Sequence, residues 1–186
     1  MKFNKEIHVE GKLISSMSPT FVIAEAGVNH GGNMFFAKKL IDLAVEAKAD
    51  AVKFQTFKAE HLILSNIQKA PYQKNTTDAS ETQFNMLKKL EVSKDQNIEL
   101  KQYCIKKDII FLTTPFDEES LKELDELDLP AYKVASTDAT NLPFLKKIAK
   151  RGKPIFLSTG MSYLSEVRLA LETIYEYNKD VVLLQC

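Results

Sequence analysis

The sequence predicts an α/β fold, a (β/α)8 barrel of which this chain carries about six strands. The first observation is that short apolar runs alternate with amphipathic helical patterns, which is typical of βαβ units and a parallel sheet. The second is that the last three strand-to-strand steps take roughly 21 to 27 residues, which suits a barrel better than a doubly wound sheet. The third is that no G-x-G-x-x-G pattern follows the first run, so a dinucleotide-binding fold has no support.

The predicted strands are nearly continuous in apolar residues, as expected for strands buried on both faces of a parallel sheet. They lie at residues 20–27, 50–57, 109–116, 131–136, 154–160 and 180–186. A closed barrel needs eight strands to remove its edges. The pattern therefore indicates either an open six-strand fold or a barrel truncated after the sixth strand, and we favour truncation.

Helical periodicity fills the intervals between the strands. Helices are predicted at residues 34–49, 84–108 (as two helices), 117–127, 141–152 and 165–178. Within 84–108, Ser93 is the expected N-cap of the second helix. The acids at the start of 117–127 suit the positive end of a helix dipole, and Arg151-Gly152 is a typical helix stop.

Two segments interrupt the alternation. Residues 1–19 read as a small hairpin, a plug on the barrel floor, which leaves 20–186 as the partial barrel. Residues 58–83 read as a long polar loop after the second strand. Loops of that length in compact domains are usually lids or disordered segments.

Composition excludes several classes of protein. The chain is 45% hydrophobic and 27% charged, with 25 basic and 25 acidic residues, which is typical of a soluble globular protein. A net charge of zero argues against a nucleic-acid or membrane-surface partner. There is no N-terminal apolar signal segment, and no apolar run approaches the roughly 20 residues that span a bilayer. Cys104 and Cys186 are expected to be reduced thiols of a cytoplasmic protein.

Polar residues collect where the predicted strands end, which is where parallel α/β folds bind their ligands. In chain order these residues are Glu25, Asn29, His30, Lys53, Gln55, Thr56, Thr113, Thr114, Lys133, Ser136, Thr137, Asp138, Ser158, Thr159 and Gln185. Elsewhere His8 and His61 belong to no constellation and are expected on the surface.

Lys53 and Lys133 are the most informative of these residues, because a buried ammonium is costly unless it is paired. With hydroxyls from Thr114, Ser136 and Ser158, they would form a cradle for a phosphate or carboxylate. Either lysine alone could instead extend to solvent or pair with an acid.

Glu25 and His30 allow different interpretations. A carboxylate in the middle of an apolar strand must face a polar barrel mouth or destabilise the fold, so Glu25 favours a functional role. His30 alone is more often a hydrogen-bonded loop residue than a ligand, and this alternative stays open at this point.

Several motifs together resemble one family, the sialic acid (N-acetylneuraminate) synthases, including the legionaminic acid synthases. The resemblance covers residues 20–186. The matching stretches are FVIAEAGVNHGG (21–32), ADAVKFQTFKAEHL (49–62), KAPYQKNT (69–76), FLTTPFDEESL (111–121), YKVASTDATNLPFLKKIAKRGKPIFLSTGM (132–161) and LLQC (183–186).

The resemblance implies a (β/α)8 barrel transferase that condenses phosphoenolpyruvate with an N-acetylated mannose-type sugar, giving a nonulosonic acid and phosphate. The sugar would be N-acetylmannosamine or 2,4-diacetamido-2,4,6-trideoxymannose. The implied phosphoenolpyruvate-binding residues are Lys53, Thr114, Lys133, Ser136 and Ser158. Glu25, Lys53 and Lys133 would be catalytic. The sugar-side residues would be Gln55, Asp138, Asn29 and His30.

The resemblance also implies a divalent metal, commonly Mn2+, and a homodimer for the full-length enzyme. The family's metal-ligating histidines belong to the seventh and eighth strands, beyond residue 186, so no complete metal site is expected in this chain. The family's C-terminal antifreeze-like domain is also not expected within it, and the fragment is expected to be inactive. Asp138 stands where sialic acid synthases usually carry Glu, a pattern associated with the legionaminic branch.

Two other functions are compatible with the residues. If Lys133 or Lys53 formed a Schiff base with a keto acid, the chain would be part of a barrel aldolase. Alternatively, the chain could be a non-catalytic remnant that binds a sugar or phosphate.

Overall fold

The computed structural model describes residues 1–69 and 81–186. Its strands are β1 (Ile7–Val9), β2 (Lys12–Ile14), β3 (Ile23–Gly27), β4 (Ala51–Thr56), β5 (Ile110–Pro115), β6 (Tyr132–Val134), β7 (Ile155–Ser158) and β8 (Val181–Leu184). Its helices are α1 (Met34–Glu46), α2 (Ala59–Leu62), α3 (Gln83–Lys88), α4 (Lys94–Lys106), α5 (Glu118–Asp125), α6 (Leu142–Ala149) and α7 (Leu164–Tyr175), with a 3-10 turn at Ser136–Asp138.

The six predicted barrel strands all form, and each hydrogen-bonded pair among them is parallel. β3, β4 and β5 pair in that order, and β6, β7 and β8 pair in that order. β5 lies beside β6, so the strands follow one another in chain order around the molecule. Parallel strands that alternate with helices are the elements of a (β/α) barrel, and the predicted fold class is confirmed by the structural relatives described below.

The register aligns the polar residues of neighbouring strands. Glu25 of β3 lies opposite Lys53 of β4, and Gln55 of β4 lies opposite Thr114 of β5. Between Glu25 and Gly27 the β3–β4 pairing shifts by a residue, which is a β-bulge. The residue left without a partner on β4 is Ala26, between Glu25 and Gly27, and bulges of this kind locally twist a strand near its end.

The core has two parts, one on each side of the strands. The larger part packs the helices against the outer strand faces, with Phe54 stacked on Phe111 and with Ile41 and Leu100 fully buried. The smaller part lies inside the barrel. It consists of Ile7, Val9, Ala51, Ile110, Leu112, Ala131 and Phe156.

The N-terminal hairpin contributes directly to the inner part. β1 and β2 pair antiparallel, and Ile7 and Val9 are 4% and 0% exposed. Ala51, Ile110 and Ala131, which these side chains join in the inner cluster, lie at or just before the starts of β4, β5 and β6. The hairpin therefore covers the end of the strands opposite to the polar one.

Local sequence determines several helix ends as expected. Ser93 caps α4: its side chain accepts from the Gln96 backbone N–H, and the Gln96 side chain accepts from the Ser93 N–H. This confirms the predicted N-cap. α6 ends before Gly152, whose φ of +68° suits a glycine at a helix stop.

The predicted polar loop 58–83 is only partly described. α2 forms within it, and α3 begins at Gln83, so the segment is not loop throughout. Residues 70–80, and with them most of the 69–76 motif, lie outside the described residues. Among the helices that the structure describes, none has the length and apolar character needed to cross a bilayer.

Candidate active site

A cavity of about 450 Å³ opens at the carboxyl ends of the parallel strands. Its lining includes seven of the fifteen polar strand-end residues that the sequence singled out. Its lining is Ile23, Glu25, Lys53, Gln55, Thr114, Phe116, Lys133, Ala135, Ser136, Ser158 and Leu184. The strand-end residues that the structure brings together at this cavity are Glu25, Lys53, Gln55, Thr114, Lys133, Ser136 and Ser158.

Lys53 connects β3, β4 and β5 at the cavity. It is 7% exposed, and its Nζ lies 2.7 Å from Oε2 of Glu25 and donates to Oγ1 of Thr114 at 3.2 Å. Glu25 itself keeps about half of its side chain in solvent. The ammonium is therefore held in one orientation, while the carboxylate remains accessible from the cavity.

Lys133 is the second buried ammonium. Its Nζ donates to Oγ of Ser158 and to the Val134 carbonyl, both at 2.7 Å. Among the described residues, no carboxylate forms an ion pair with it. Burial, and then the charge of Lys53, lower the pKa of Lys133 to about 8.

The two lysines with the hydroxyls make the cavity a receptor for an anion. Lys53 is partly neutralised by Glu25, whereas Lys133 has only neutral partners among the described residues. An incoming carboxylate or phosphate would pair with Lys133 and raise its pKa again, since an adjacent anion favours the ammonium form.

Gly27 is a site residue that the sequence reasoning missed. Its φ is +54°, and a Cβ there would lie 3.1 Å from Oε1 of Glu25 and 3.5 Å from Nε2 of Gln55. The glycine therefore leaves room for the carboxylate and amide that face the cavity. The available signal was a glycine two residues after an acid at a strand end.

The other eight strand-end residues lie outside the cavity lining, and they include the three sugar-side candidates Asn29, Asp138 and His30. Asn29 is exposed on the loop after β3. Asp138 lies on the 3-10 turn after β6, and burial raises the pKa of its carboxyl. His30 is buried, and its ring rests on Phe54, with 6.1 Å between ring centroids.

His61 is exposed, as predicted, but the prediction that it belongs to no constellation is wrong. Its Nδ1 lies 3.3 Å from Oδ1 of Asp117, and its Nε2 lies 3.8 Å from Oε2 of Glu119. Both acids and His61 line a second cavity of about 460 Å³, which shares Phe116 with the first. The sequence signal was Asp117 as a helix cap, since the cap holds the acid next to the loop after β4.

The described residues do not provide a metal centre. Within residues 1–69 and 81–186, no group of three or more His, Cys, Asp or Glu side chains is placed to hold an ion. Cys104 and Cys186 are free, and burial raises the pKa of the Cys104 thiol to about 12, which makes it unreactive.

Curated proteins similar to this chain include nonulosonic acid synthases. The N,N'-diacetyllegionaminic acid synthase of Campylobacter jejuni is 47% identical over 91% of this chain and 52% of its own length. The corresponding enzyme of Legionella pneumophila is 44% identical over 92% of the chain and 49% of its own length. Human N-acetylneuraminate-9-phosphate synthase is 34% identical over 95% and 49%. The chain thus spans about half the length of these relatives.

Solved structures superpose on this chain and identify its fold. The N-acetylneuraminic acid synthetase of Leptospira borgpetersenii, solved with citrate, superposes with a TM-score of 0.86 at 34% identity, over 100% of this chain and 60% of that one. A DAHP synthase of Thermotoga maritima superposes with a TM-score of 0.68 at 17% identity, over 98% and 46%, and shows the fold alone. The sequence model of the NeuB family matches residues 40–186, and the chain belongs to the NeuB family.

Proposed function

We propose that this chain forms the phosphoenolpyruvate-binding part of a nonulosonic acid synthase. The reaction is the condensation of phosphoenolpyruvate with an N-acetylated mannose-type sugar, with release of inorganic phosphate. The observation that carries the proposal is the pair of buried lysines, Lys53 and Lys133, in one hydroxyl-lined cavity. The names of the similar synthases support the same reaction class.

Phosphoenolpyruvate suits this cavity because one of its carbons carries both a carboxylate and a phosphate ester. Lys53 and Lys133 neutralise these two anionic groups, and Thr114, Ser136 and Ser158 supply hydroxyls that orient them. Lys133 gains the carboxylate or phosphate partner that it lacks among the described residues.

The chemistry forms one carbon–carbon bond and breaks one carbon–oxygen bond. The electron pair of the enol double bond attacks the sugar aldehyde carbon, and the aldehyde oxygen takes a proton. Water then adds to carbon 2 of the former phosphoenolpyruvate and loses a proton, and the tetrahedral intermediate expels phosphate to leave a 2-keto acid. Glu25 accepts the proton of the adding water, and Lys53 and Lys133 offset the negative charge throughout.

The sugar lies towards the open side of the cavity in this proposal. Gln55 lines the cavity, and the candidates Asn29 and Asp138 lie on the segments that follow β3 and β6. The legionaminic acid synthases, at 47% and 44% identity, favour a 2,4-diacetamido-2,4,6-trideoxy sugar over N-acetylmannosamine. A homodimer in the cytoplasm, without nucleic-acid or membrane partners, remains the prediction from sequence.

The divalent metal that the resemblance implies would need ligands from outside the described residues. Within those residues Glu25 is a single exposed carboxylate at the cavity, and no group of ligands surrounds it. We therefore assign no step of the reaction to a metal.

Calorimetric titration of phosphoenolpyruvate into the 186-residue chain tests the binding part of the proposal. Lys53→Met and Lys133→Met are each expected to weaken binding by about tenfold or more, since each removes one charge-assisted contact. Lys106→Met is the matched control, because Lys106 is an exposed lysine of α4 outside the cavity lining. Equal affinity in all three variants would contradict the proposal.

The reaction itself is tested with the protein as its gene encodes it. Phosphoenolpyruvate and each of the two sugars are supplied, and phosphate and the keto acid are measured. Phosphate release without a nine-carbon keto acid, or neither product with either sugar, would contradict the condensation.

A Schiff-base aldolase is the second candidate, and the lowered pKa of Lys133 favours it, since about 8 leaves part of the amine unprotonated. Pyruvate followed by borohydride would then attach covalently to Lys133 or Lys53. The proposed synthase shows no such adduct. Retained phosphoenolpyruvate binding without turnover in the gene-encoded protein would instead indicate a non-catalytic binding module.

A further inference from the structure

His30 lies behind the strand that supplies two of the cavity groups. It is 2% exposed, and its ring contacts the ring of Phe54, which is fully buried. On the same strand, Lys53 and Gln55 precede and follow Phe54, and both line the cavity. Because successive strand residues point to opposite faces, His30 rests on the helix-facing side of β4, away from the cavity.

The hydrogen bonding of the imidazole defines its protonation. Nδ1 accepts from the backbone N–H of Gly32 at 3.0 Å, so Nδ1 carries a lone pair and the neutral ring holds its proton on Nε2. Nε2 is buried and has no hydrogen-bond partner among the described residues. Burial lowers the pKa of His30, which agrees with a neutral ring.

The His30 ring also holds the loop of residues 28–33, which has little space in which to move. The loop is closed by backbone bonds from Gly31 N–H to the Val28 carbonyl and from Asn33 N–H to the His30 carbonyl. At Gly32, with φ of +77°, an added Cβ would lie 2.2 Å from the Lys89 carbonyl oxygen. The loop 28–33 is therefore held on one side by the Gly32–His30 hydrogen bond and on the other by the end of α3.

We propose that His30 is a positioning residue that fixes the loop 28–33 through Gly32 and Phe54. The loop follows Glu25 and Gly27 directly and carries Asn29, so its position sets how these groups face the substrate. His30 itself makes no substrate contact, in place of the sugar contact that the sequence predicts for it. The identity of the reaction that it supports rests on the proposed function.

Two substitutions separate the ring from its hydrogen bond. His30→Asn keeps an acceptor oxygen near the place of Nδ1, and His30→Phe keeps a ring without an acceptor. In the 186-residue chain, hydrogen exchange of the Gly32 amide is expected to be about tenfold faster in the Phe variant and within about threefold of wild type in the Asn variant. Unchanged exchange in His30→Phe would overturn the proposal.

Nitrogen-15 NMR of the wild-type imidazole gives a measurement that needs no variant to fold. The expected signature is a protonated Nε2 and an unprotonated Nδ1 that accepts a hydrogen bond. A proton on Nδ1 would overturn the proposal, because that atom could no longer accept from Gly32.

Kinetics of the gene-encoded protein distinguish positioning from contact. His30→Phe is expected to lower kcat by about 10- to 100-fold with the sugar KM within about twofold, and His30→Asn is expected to recover most of kcat. A raised sugar KM at unchanged kcat would mean direct contact and would overturn the proposal. If wild type neither binds phosphoenolpyruvate nor turns over, the proposed function fails, while Gly32 exchange still decides the structural role of His30.

Discussion

At the residue scale, the site depends on two ammonium groups in different states. Lys53 is paired with a carboxylate, whereas Lys133 bonds only neutral oxygens among the described residues. A buried cation without a counter-ion is costly, and its lowered pKa expresses this cost. A substrate anion would supply the counter-ion that Lys133 lacks among the described residues.

The charge of Lys133 should therefore destabilise the fold in a pH-dependent way. Its pKa is about 8 in the folded chain and near the ordinary 10.5 when unfolded, so the unfolded chain binds more protons between these values. Stability contributed by this group thus rises as pH increases from about 8 to about 10.5, by up to about 3 kcal/mol. In urea unfolding across this pH range, the difference in unfolding free energy between wild type and Lys133→Met should change with pH. If that difference were as independent of pH as the one between wild type and Lys106→Met, the prediction would be contradicted.

Gly27→Ala should disturb the site as well as the backbone. The positive φ costs about 1 kcal/mol for a non-glycine residue, and the added Cβ lies too close to the Glu25 carboxylate, at 3.1 Å. Gly152→Ala has a similar positive φ and an open surrounding, so it serves as the control. Both variants should lose similar stability in urea unfolding, but only Gly27→Ala should impair turnover of the gene-encoded protein. Equal turnover in the two variants would show that the space at Gly27 is not needed.

At the element scale, the Asp117 side chain joins the segment between β4 and α2 to the start of α5. Its carboxylate accepts from the Ser120 N–H and hydroxyl and from the Lys58 N–H, and it lies beside His61. Burial alone would raise the pKa of Asp117, but these donors lower it overall. The helix cap is therefore also a tertiary link at the rim of the second cavity.

Asp117→Ala is expected to cost about 2 kcal/mol of unfolding free energy, because it leaves several buried donors without their acceptor. Asp95→Ala, an exposed acid in the first turn of α4, should cost about 0.5 kcal/mol or less. The pKa of Asp117 is lower in the folded chain than in the unfolded chain. Its contribution to the free energy of unfolding is therefore complete above the ordinary carboxyl pKa near 4 and is lost as pH falls below that value. Thermal melts of the two variants at neutral pH and near pH 3 measure both effects. Similar losses in the two variants would contradict the tertiary role.

At the scale of the whole molecule, the two ends of the strands have opposite chemistry. The hairpin β1–β2 places Ile7 and Val9 in the inner apolar core, while the carboxyl ends of the strands surround the polar cavity. The division lets Lys53 and Lys133 remain accessible without weakening the apolar core beneath them.

Ile7→Ala tests whether the hairpin belongs to the same cooperative unit as the barrel strands. The substitution should cost about 3 kcal/mol, since Ile7 is buried among strand residues. Leu13→Ala, in the same hairpin but 39% exposed, should cost well under about 1 kcal/mol. A single unfolding transition that shifts only for Ile7→Ala is expected, and an unshifted transition would mean that the hairpin folds separately.

The barrel strands and most of the cavity residues could be predicted because they depend on patterns local in sequence. Apolar runs fix the strands, and polar residues at their carboxyl ends must meet when the strands are parallel. Gly27, His61 and the position of His30 could not be predicted in this way. Each depends on which distant residue lies beside it: Gln55, Asp117 and Phe54, respectively.

By itself, then, the sequence determined the fold class, the Ser93 helix cap and the two lysines of the anion site, because periodicity and burial cost are properties of the chain. Only the tertiary structure decided which charges are neutralised. The β3–β4 register gives Glu25 to Lys53, and Lys133 faces Ser158 and its own backbone instead. Pairing across strands depends on register and on the bulge between Glu25 and Gly27, and neither is encoded in any one segment.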